Sequence, residues 1–112
     1  IAVPGGIATR HLINRRIFNT MKSHSIIVNI SRGDVIAEID LIEALKKGDI
    51  GGAGLDVYEF EPKIPTGLLE MDNVTLLPHL GSASLEIRTE MGMMALANIA
   101  NFLNGKSPPN LV

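Results

Sequence analysis

The chain has 112 residues, enough for one domain that buries roughly two thirds of its unfolded surface. Ten basic and twelve acidic residues leave a net charge of −2, and no block of lysine and arginine is present, so nucleic acid is not an expected partner. The chain contains no cysteine, which excludes disulfides and thiolate metal sites and fits a reducing cytoplasm. No apolar run reaches the roughly 18 residues that span a bilayer, so we predict a cytoplasmic protein with no membrane partner and no metal site.

The first half of the chain begins with a short apolar run and a breaker cluster. Residues 1–3, IAV, are typical of the end of a strand and stop at residues 4–6, PGG, which indicate a loop. We therefore interpret the chain as part of a longer protein. Residues 14–22, NRRIFNTMK, predict a short amphipathic helix, and residues 25–30, SIIVNI, predict a strand that is apolar on both faces. Such a strand belongs inside a parallel sheet.

The second half continues this alternation of helices and strands. Residues 38–48, EIDLIEALKKG, predict a helix that ends in two lysines and a glycine, as helix C-termini prefer. The apolar stripe predicted for this helix consists of Ile39, Ile42 and Leu45, with Leu41 beside it. Residues 52–58, GAGLDVY, and 73–79, NVTLLPH, predict two more strands, and residues 84–104 predict a long helix.

This order of elements predicts an α/β fold with an open parallel sheet, right-handed crossovers and flanking helices. Ligands bind such sheets beyond the carboxyl ends of the strands. Arg32 follows the apolar run IIVNI, Asp56 and the acidic stretch 58–62 follow the run GAGL, and His79 follows the run VTLLP. We therefore expect a cation, a cluster of carboxylates and an imidazole along one edge. His11 and His24 lie in or beside the first helix, and we interpret them as ordinary surface residues.

Each of these features has a structural alternative. Taken alone, Arg32 is more often a helix-cap or surface residue, His79 a turn residue, and the acidic stretch 58–62 a solvated loop. The glycines of residues 51–57, GGAGLDV, come after a helix and enter a strand. A phosphate-binding loop has the opposite order, so we interpret these glycines as turn and packing residues.

Longer stretches of the sequence carry a family resemblance. They are residues 3–14 (VPGGIATRHLIN), 21–36 (MKSHSIIVNISRGDVI), 43–62 (EALKKGDIGGAGLDVYEFEP) and 76–84 (LLPHLGSAS). The chain resembles the D-isomer-specific 2-hydroxyacid dehydrogenases, and among them the glyoxylate and hydroxypyruvate reductases. The resemblance implies that residues 1–104 form the C-terminal half of a Rossmann-like dinucleotide-binding domain and that residues 105–112 begin the return to a substrate domain. The family's G-x-G-x-x-G loop lies upstream, so the choice between NAD and NADP stays open.

The resemblance also implies a catalytic set of Arg32, Glu61 and His79. Arg32 would bind the substrate carboxylate through its planar, permanently charged guanidinium. His79 would protonate the 2-oxo group while nicotinamide delivers hydride, and Glu61 would favour the imidazolium and set which nitrogen faces the substrate. The implied cofactor contacts are Val3, Pro4, Ile30, Ser31, Arg32, Asp56, His79 and Gly81, with Asp56 near the nicotinamide carboxamide.

We therefore expect the intact protein to be an NAD- or NADP-dependent dehydrogenase that reduces glyoxylate or hydroxypyruvate, and to be a homodimer as the family generally is. Two alternatives stay open: a 3-phosphoglycerate dehydrogenase, and a non-catalytic dinucleotide sensor similar to transcriptional corepressors. One departure from the family is Ala37, where many relatives have an aspartate that caps the following helix. The loss of that cap costs about 1 kcal/mol.

Overall fold

The computed structural model of the protein describes residues 1–111. The chain forms two compact units, one from Ile1 to His79 and one from Leu80 onwards. The first unit contains a parallel sheet and short helices, and the second contains one long helix. Within residues 1–111, no helix is both long and apolar enough to cross a membrane.

The sheet of the first unit consists of β1 (Ile26–Asn29), β2 (Gly52–Leu55) and β3 (Val74–Leu76), in the order β1-β2-β3. Both strand pairs are parallel, and Gly54 pairs with Val28 on one side and with Thr75 on the other. The carboxyl ends of all three strands therefore lie along one edge of the sheet. This arrangement confirms the predicted Rossmann-like α/β class.

The helices of the first unit are α1 (Arg15–Phe18), α2 (Glu38–Lys47) and α3 (Thr66–Leu69), together with a 3-10 helix at Gly33–Val35. The sequence predicted a longer α1 and missed both α3 and the 3-10 helix. Elements this short contain too little of the helical period to produce a recognisable apolar pattern. Residues 1–3 were expected to end a strand; they are not in a strand, although the Ile1 carbonyl accepts a hydrogen bond from Ile30 beside β1.

Helix α2 ends as predicted, but its buried face differs from the predicted stripe. Gly48 adopts the left-handed conformation, with φ of 72°, and its N–H closes the helix on the carbonyls of Ala44 and Leu45. Ile39 is 72% exposed, so its assignment to the apolar stripe was wrong. The buried residues of α2 are Glu38, Leu41, Ala44 and Leu45. The stripe is displaced because Glu38, a carboxylate bound to the backbone of Glu59, takes the inward position in the first turn.

The core of the first unit lies on one face of the sheet. Ile27 and Ala53 pair across β1 and β2 and both point into this core, as does Leu55. On the opposite face, Ile26 and Val28 are exposed. Phe18 of α1 and Leu68 of α3 are almost fully buried in the same core.

The second unit is organised around α4 (Leu85–Leu103), close to the predicted span of 84–104. Ser84 caps the helix, because its side-chain oxygen accepts a hydrogen bond of 3.2 Å from the N–H of Ile87. Apolar side chains along α4 are exposed, among them Met91, Met93, Met94, Leu96, Ile99 and Phe102.

A close backbone contact joins the segments that follow β1 and β2. A Cβ atom added to Gly33 would lie 1.8 Å from the carbonyl carbon of Tyr58 and 2.4 Å from the nitrogen of Glu59. Both neighbours are backbone atoms, so no side-chain movement can relieve such a clash. Glycine is therefore required where the 3-10 helix begins.

We predict that Gly33→Ala lowers the free energy of unfolding by about 3 kcal/mol, because the two backbone segments would have to separate. Gly54→Ala is the matched control. Its Cβ would meet only Val28 side-chain atoms at 3.6 and 3.8 Å, and its effect should stay within about 1 kcal/mol. Urea denaturation of both variants measures the difference, and equal stabilities would contradict the proposed constraint.

Candidate active site

Three chemically reactive side chains follow the three parallel strands. Arg32 comes shortly after β1, Asp56 follows β2 directly, and His79 comes shortly after β3. Because the strands are parallel, these positions share one edge of the sheet. The structure thus brings the candidates to the edge where ligands of such sheets bind.

The turn that carries Arg32 is built around Asn29, the last residue of β1. Asn29 is fully buried, and its amide nitrogen donates to the carbonyl of Arg32 at 2.9 Å. Its side-chain oxygen accepts from both the backbone N–H and the hydroxyl of Ser31, at 3.1 and 2.9 Å. The Asn29 carbonyl accepts a further bond from the N–H of Asp56. The sequence analysis did not single out Asn29, although an amide at the end of an apolar strand was a visible signal.

The Arg32 side chain is exposed at this edge. One guanidinium nitrogen donates to the Ser31 carbonyl at 2.8 Å. The aliphatic stem lies against Gly5, where an added Cβ would be 2.6 Å from the Cγ of Arg32. A guanidinium has several N–H donors in one plane, so an incoming carboxylate can be bound while the bond to Ser31 persists.

Glu61 and His79 form a hydrogen-bonded pair. One carboxylate oxygen of Glu61 lies 2.9 Å from Nδ1 of His79, and the other accepts from the Tyr58 N–H at 3.0 Å. A carboxylate can only accept, so Nδ1 carries the proton and Nε2 is the nitrogen left for a ligand. His79 has a φ of 56°, a conformation that few non-glycine residues adopt. Such outliers are found often at functional sites.

Glu61 is a carboxylate over most of the pH range. Burial raises its pKa, but hydrogen bonds from His79 and Tyr58 and the positive charges of His79 and Arg32 outweigh burial, so the pKa lies below its usual value. Since the folded pKa is lowered, the stabilising contribution of this group is complete above its ordinary pKa and is lost as the pH falls through the lowered value. The pair is more than a third exposed, so we expect that contribution to stay below about 1 kcal/mol.

Tyr58 links the segment after β2 to the end of β3. Its hydroxyl donates to the Leu77 carbonyl at 2.8 Å and lies 3.2 Å from that of Leu55. Burial raises the pKa of Tyr58, so the hydroxyl keeps its proton and remains a donor. The peptide that orients Glu61 is thereby attached to the strand that leads to His79.

The neighbouring glutamate, Glu59, turns away from His79 and binds His11. Its carboxylate oxygen lies 2.6 Å from Nε2 of His11, and its side chain is only 8% exposed. The interpretation of His11 as an ordinary surface residue was therefore wrong. The two residues are 48 positions apart in sequence, so no local pattern indicates that they meet.

A cleft of about 530 Å³ lies beside Arg32. It is lined by Val3, Pro4, Gly5, Gly6, Ser31, Arg32 and Asp34. A Cβ on Gly6 would meet no other atom within 4 Å, so the cleft is open on this side. Four predicted cofactor contacts thus line one cavity of apolar and polar groups, a combination that fits a nicotinamide.

Three other predicted cofactor contacts do not line this cleft. Ile30 is exposed, Asp56 is buried at the end of β2, and Gly81 belongs to the second unit. In the part of the chain from residue 1 to 111, no group of three or more His, Asp or Glu side chains could hold a metal ion.

The chain is similar to known proteins over most of its length. Residues 1–81 match the model of the "D-isomer specific 2-hydroxyacid dehydrogenase, NAD binding domain". The glyoxylate reductase of Pyrococcus horikoshii is 46% identical over 112 residues, which is 100% of this chain and 34% of that protein. The chain therefore spans about a third of the length of this relative.

Solved structures show the same similarity. The NADPH-dependent glyoxylate/hydroxypyruvate reductase of Sinorhizobium meliloti, in complex with NADP and malonate, matches with a TM-score of 0.89 and 37% identity, over 91% of this chain and 32% of its own. The holo form of D-mandelate dehydrogenase from Rhodotorula graminis matches with a TM-score of 0.90 and 43% identity, over 99% of this chain and 33% of its own.

We predict that Asn29→Ala destabilises the protein by about 2 kcal/mol, because the Ser31 N–H and the Arg32 carbonyl lose a buried partner. Asn19→Ala, at an exposed position beside α1, is the control and should change stability by less than about 0.5 kcal/mol. Chemical denaturation measures both. An Asn29→Ala variant as stable as the control would show that the turn does not depend on the amide.

Asn29→Asp adds a pH test of the same turn. An ionised carboxylate cannot donate to the Arg32 carbonyl and is unfavourable when buried, so the folded-state pKa of the new aspartate should be raised. Its destabilising effect should then be greatest at neutral pH and decline as the pH falls through that raised pKa. A stability difference from the original protein that does not change between pH 7 and pH 5 would contradict this.

Proposed function

Because the chain belongs to the D-isomer-specific 2-hydroxyacid dehydrogenase family, as part of its NAD-binding domain, we propose that the intact protein reduces a small 2-oxo acid to the 2-hydroxy acid with NADH or NADPH. Glyoxylate and hydroxypyruvate are the proposed substrates, in line with the names of the relatives. The observation that carries the proposal is the shared sheet edge, which holds both the exposed guanidinium of Arg32 and the Glu61–His79 pair.

Arg32 binds the substrate in this proposal. The carboxylate of a 2-oxo acid pairs with a guanidinium through two parallel hydrogen bonds, which set both the position and the plane of the acid. The buried side chain of Asn29 holds the backbone of this turn in place. The turn therefore holds the substrate in one orientation. A substrate held in the reactive geometry reacts faster, because less order has to be gained in the reaction step.

His79 supplies the proton. Reduction converts the 2-oxo oxygen into an alkoxide, which needs an acid that titrates near neutral pH. Nδ1 is bound to Glu61, so Nε2 carries the transferred proton. The carboxylate of Glu61 stabilises the imidazolium before transfer and keeps the ring in one orientation.

The nicotinamide cofactor supplies the hydride when it is bound. We assign its nicotinamide end to the cleft beside Arg32, where Val3, Pro4 and Ser31 would contact the ring. Asp56 at the end of β2 and Ile30 after β1 are further proposed contacts, as are His79 and Gly81. Residues 1–104 would then belong to the dinucleotide-binding domain, and residues 105–112 would begin the return to the substrate domain.

We also propose that the intact protein is a cytoplasmic homodimer. The exposed apolar side chains of α4 support association with another polypeptide surface. The absence of cysteine fits a reducing compartment. Neither nucleic acid nor membrane is a partner in this proposal, since the net charge is −2.

The test is an activity assay of the intact protein. The oxidation of NADH and of NADPH is measured with glyoxylate, hydroxypyruvate or phosphohydroxypyruvate as the substrate. Arg32→Ala should lower kcat/KM roughly 100-fold, mainly through KM for the acid, because charged hydrogen bonds to the carboxylate are lost. His79→Ala should lower kcat by roughly 100-fold or more, because the proton donor is gone. Arg10→Ala, an exposed arginine outside the cleft, should stay within about twofold.

Each outcome separates the proposal from its alternatives. Fast turnover with phosphohydroxypyruvate only would favour a 3-phosphoglycerate dehydrogenase. Tight NADH binding without turnover of any acid would refute the reductase and favour a dinucleotide sensor. Unchanged kinetics in both variants would refute the assigned roles of Arg32 and His79.

A further inference from the structure

A second cluster of ionisable groups lies behind the proposed active site. We call His11, Glu38 and Glu59 the carboxylate clasp. Glu59 binds Nε2 of His11 at 2.6 Å through one oxygen, and its other oxygen lies 3.4 Å from the N–H of Glu38. The Glu59 N–H in turn donates to the Glu38 carboxylate at 2.9 Å. The two glutamates therefore exchange hydrogen bonds between side chain and backbone.

The carboxylate clasp takes the place of the missing helix cap. Ala37 cannot cap α2, and the Glu59 carboxylate approaches the first turn of the helix instead. A carboxylate at a helix N-terminus is favourable because it meets unpaired N–H groups and the positive end of the helix dipole. The segment after β2 is thus attached to α2 by a side chain from outside the helix.

This arrangement is costly for stability alone. Glu38 is 4% exposed, and its second oxygen has no hydrogen-bond partner among the residues that the structure describes. Burial, together with the negative charges of Glu59 and Glu61, raises the pKa of Glu38. An apolar pair of similar size would avoid this penalty. The cluster is therefore better explained by what it positions than by the stability it adds.

The carboxylate clasp positions one peptide group, the link between Tyr58 and Glu59. On one side, Gly33 packs against this peptide so closely that no Cβ fits. In the same segment, the Tyr58 N–H donates to Glu61, whose other oxygen binds His79. A shift of Glu59 would therefore alter the orientation of Glu61 and, through it, of the imidazole.

We propose that Glu59, held by His11 and Glu38, is a positioning residue. It fixes the position of the Tyr58 N–H and the Glu61–His79 pair relative to the turn that carries Arg32. This inference rests on the proposed function. Glu59 acts through the peptide that it anchors and does not contact His79. The other charged groups that act on these residues are Arg32, near Glu61, Asp40, near His11, and Asp56, near Tyr58.

The test uses Glu59→Ala in the intact protein and compares it with Glu61→Gln. The first readout is an NMR titration of the His79 ring. Glu59→Ala should change the titration of the ring in the same direction as Glu61→Gln, because both substitutions disturb the carboxylate bound to Nδ1. The second readout is turnover: kcat should fall about tenfold or more while KM for the reduced cofactor changes by less than about twofold, as misplacement of a reacting group predicts.

Rescue and control variants separate positioning from a general structural effect. Glu59→Gln keeps one oxygen, which can accept from the Glu38 N–H, and gains an amide nitrogen that can donate to Nε2 of a neutral His11, so it should restore most of kcat and the original titration. Glu70→Ala, an exposed glutamate at the end of α3, should match the unaltered protein in both readouts. If Glu59→Ala does not fold, His11→Ala is the substitute, because His11 is the more exposed partner of the pair. It should shift the titration of the His79 ring in the same direction by a smaller amount.

The inference is overturned if Glu59→Ala lowers the melting temperature but leaves the His79 titration and kcat unchanged. It is also overturned if Glu59→Gln is as impaired as Glu59→Ala. If the unaltered protein reduces no 2-oxo acid, the proposed function fails, but the NMR titration still decides whether Glu59 sets the Glu61–His79 pair.

Discussion

The contact between Gly33 and the Tyr58–Glu59 peptide is the constraint on which the rest of the site depends. It brings the segment after β1 and the segment after β2 to backbone contact, because a Cβ at residue 33 would lie 1.8 Å from a carbonyl carbon. Two backbone segments therefore meet directly, one just after Arg32 and one just before Glu61. Tyr58 extends the same linkage to the end of β3 through its hydroxyl. All three strand ends are thus joined before any ligand binds, as preorganised sites require.

The carboxylates of Glu59 and Glu61 near this edge each have a definite partner. The hydrogen bond from His79 and the positive charge of Arg32 lower the pKa of Glu61 and keep it ionised. Glu59, two residues earlier, binds a different histidine and a helix N-terminus. Two glutamates of one loop therefore have different partners. Burial of Glu38 behind them disfavours its charged form and raises its pKa.

The fold and the residues at the sheet edge were predictable because they depend on local patterns. Buried strands, the Gly48 terminus of α2 and the positions of Arg32, Asp56 and His79 after strands all follow from short stretches of sequence. Features formed by distant residues were not predictable. The binding of Glu59 to His11 joins positions 48 residues apart, and Ile39 is exposed because a buried glutamate replaces the expected apolar residue. Asn29 was overlooked because its amide has no chemical role of its own and acts by holding the backbone that carries Arg32.

A crystal structure of the intact protein with its nicotinamide cofactor and oxamate, an unreactive analogue of a 2-oxo acid, would test the roles of Arg32, Glu61 and His79 at once. We expect the oxamate carboxylate to pair with the guanidinium of Arg32 and its carbonyl oxygen to lie within hydrogen-bonding distance of Nε2 of His79, with Nδ1 still bound to Glu61. Oxamate anchored by another cation, or a His79 ring turned so that Nδ1 faces the ligand, would contradict these roles.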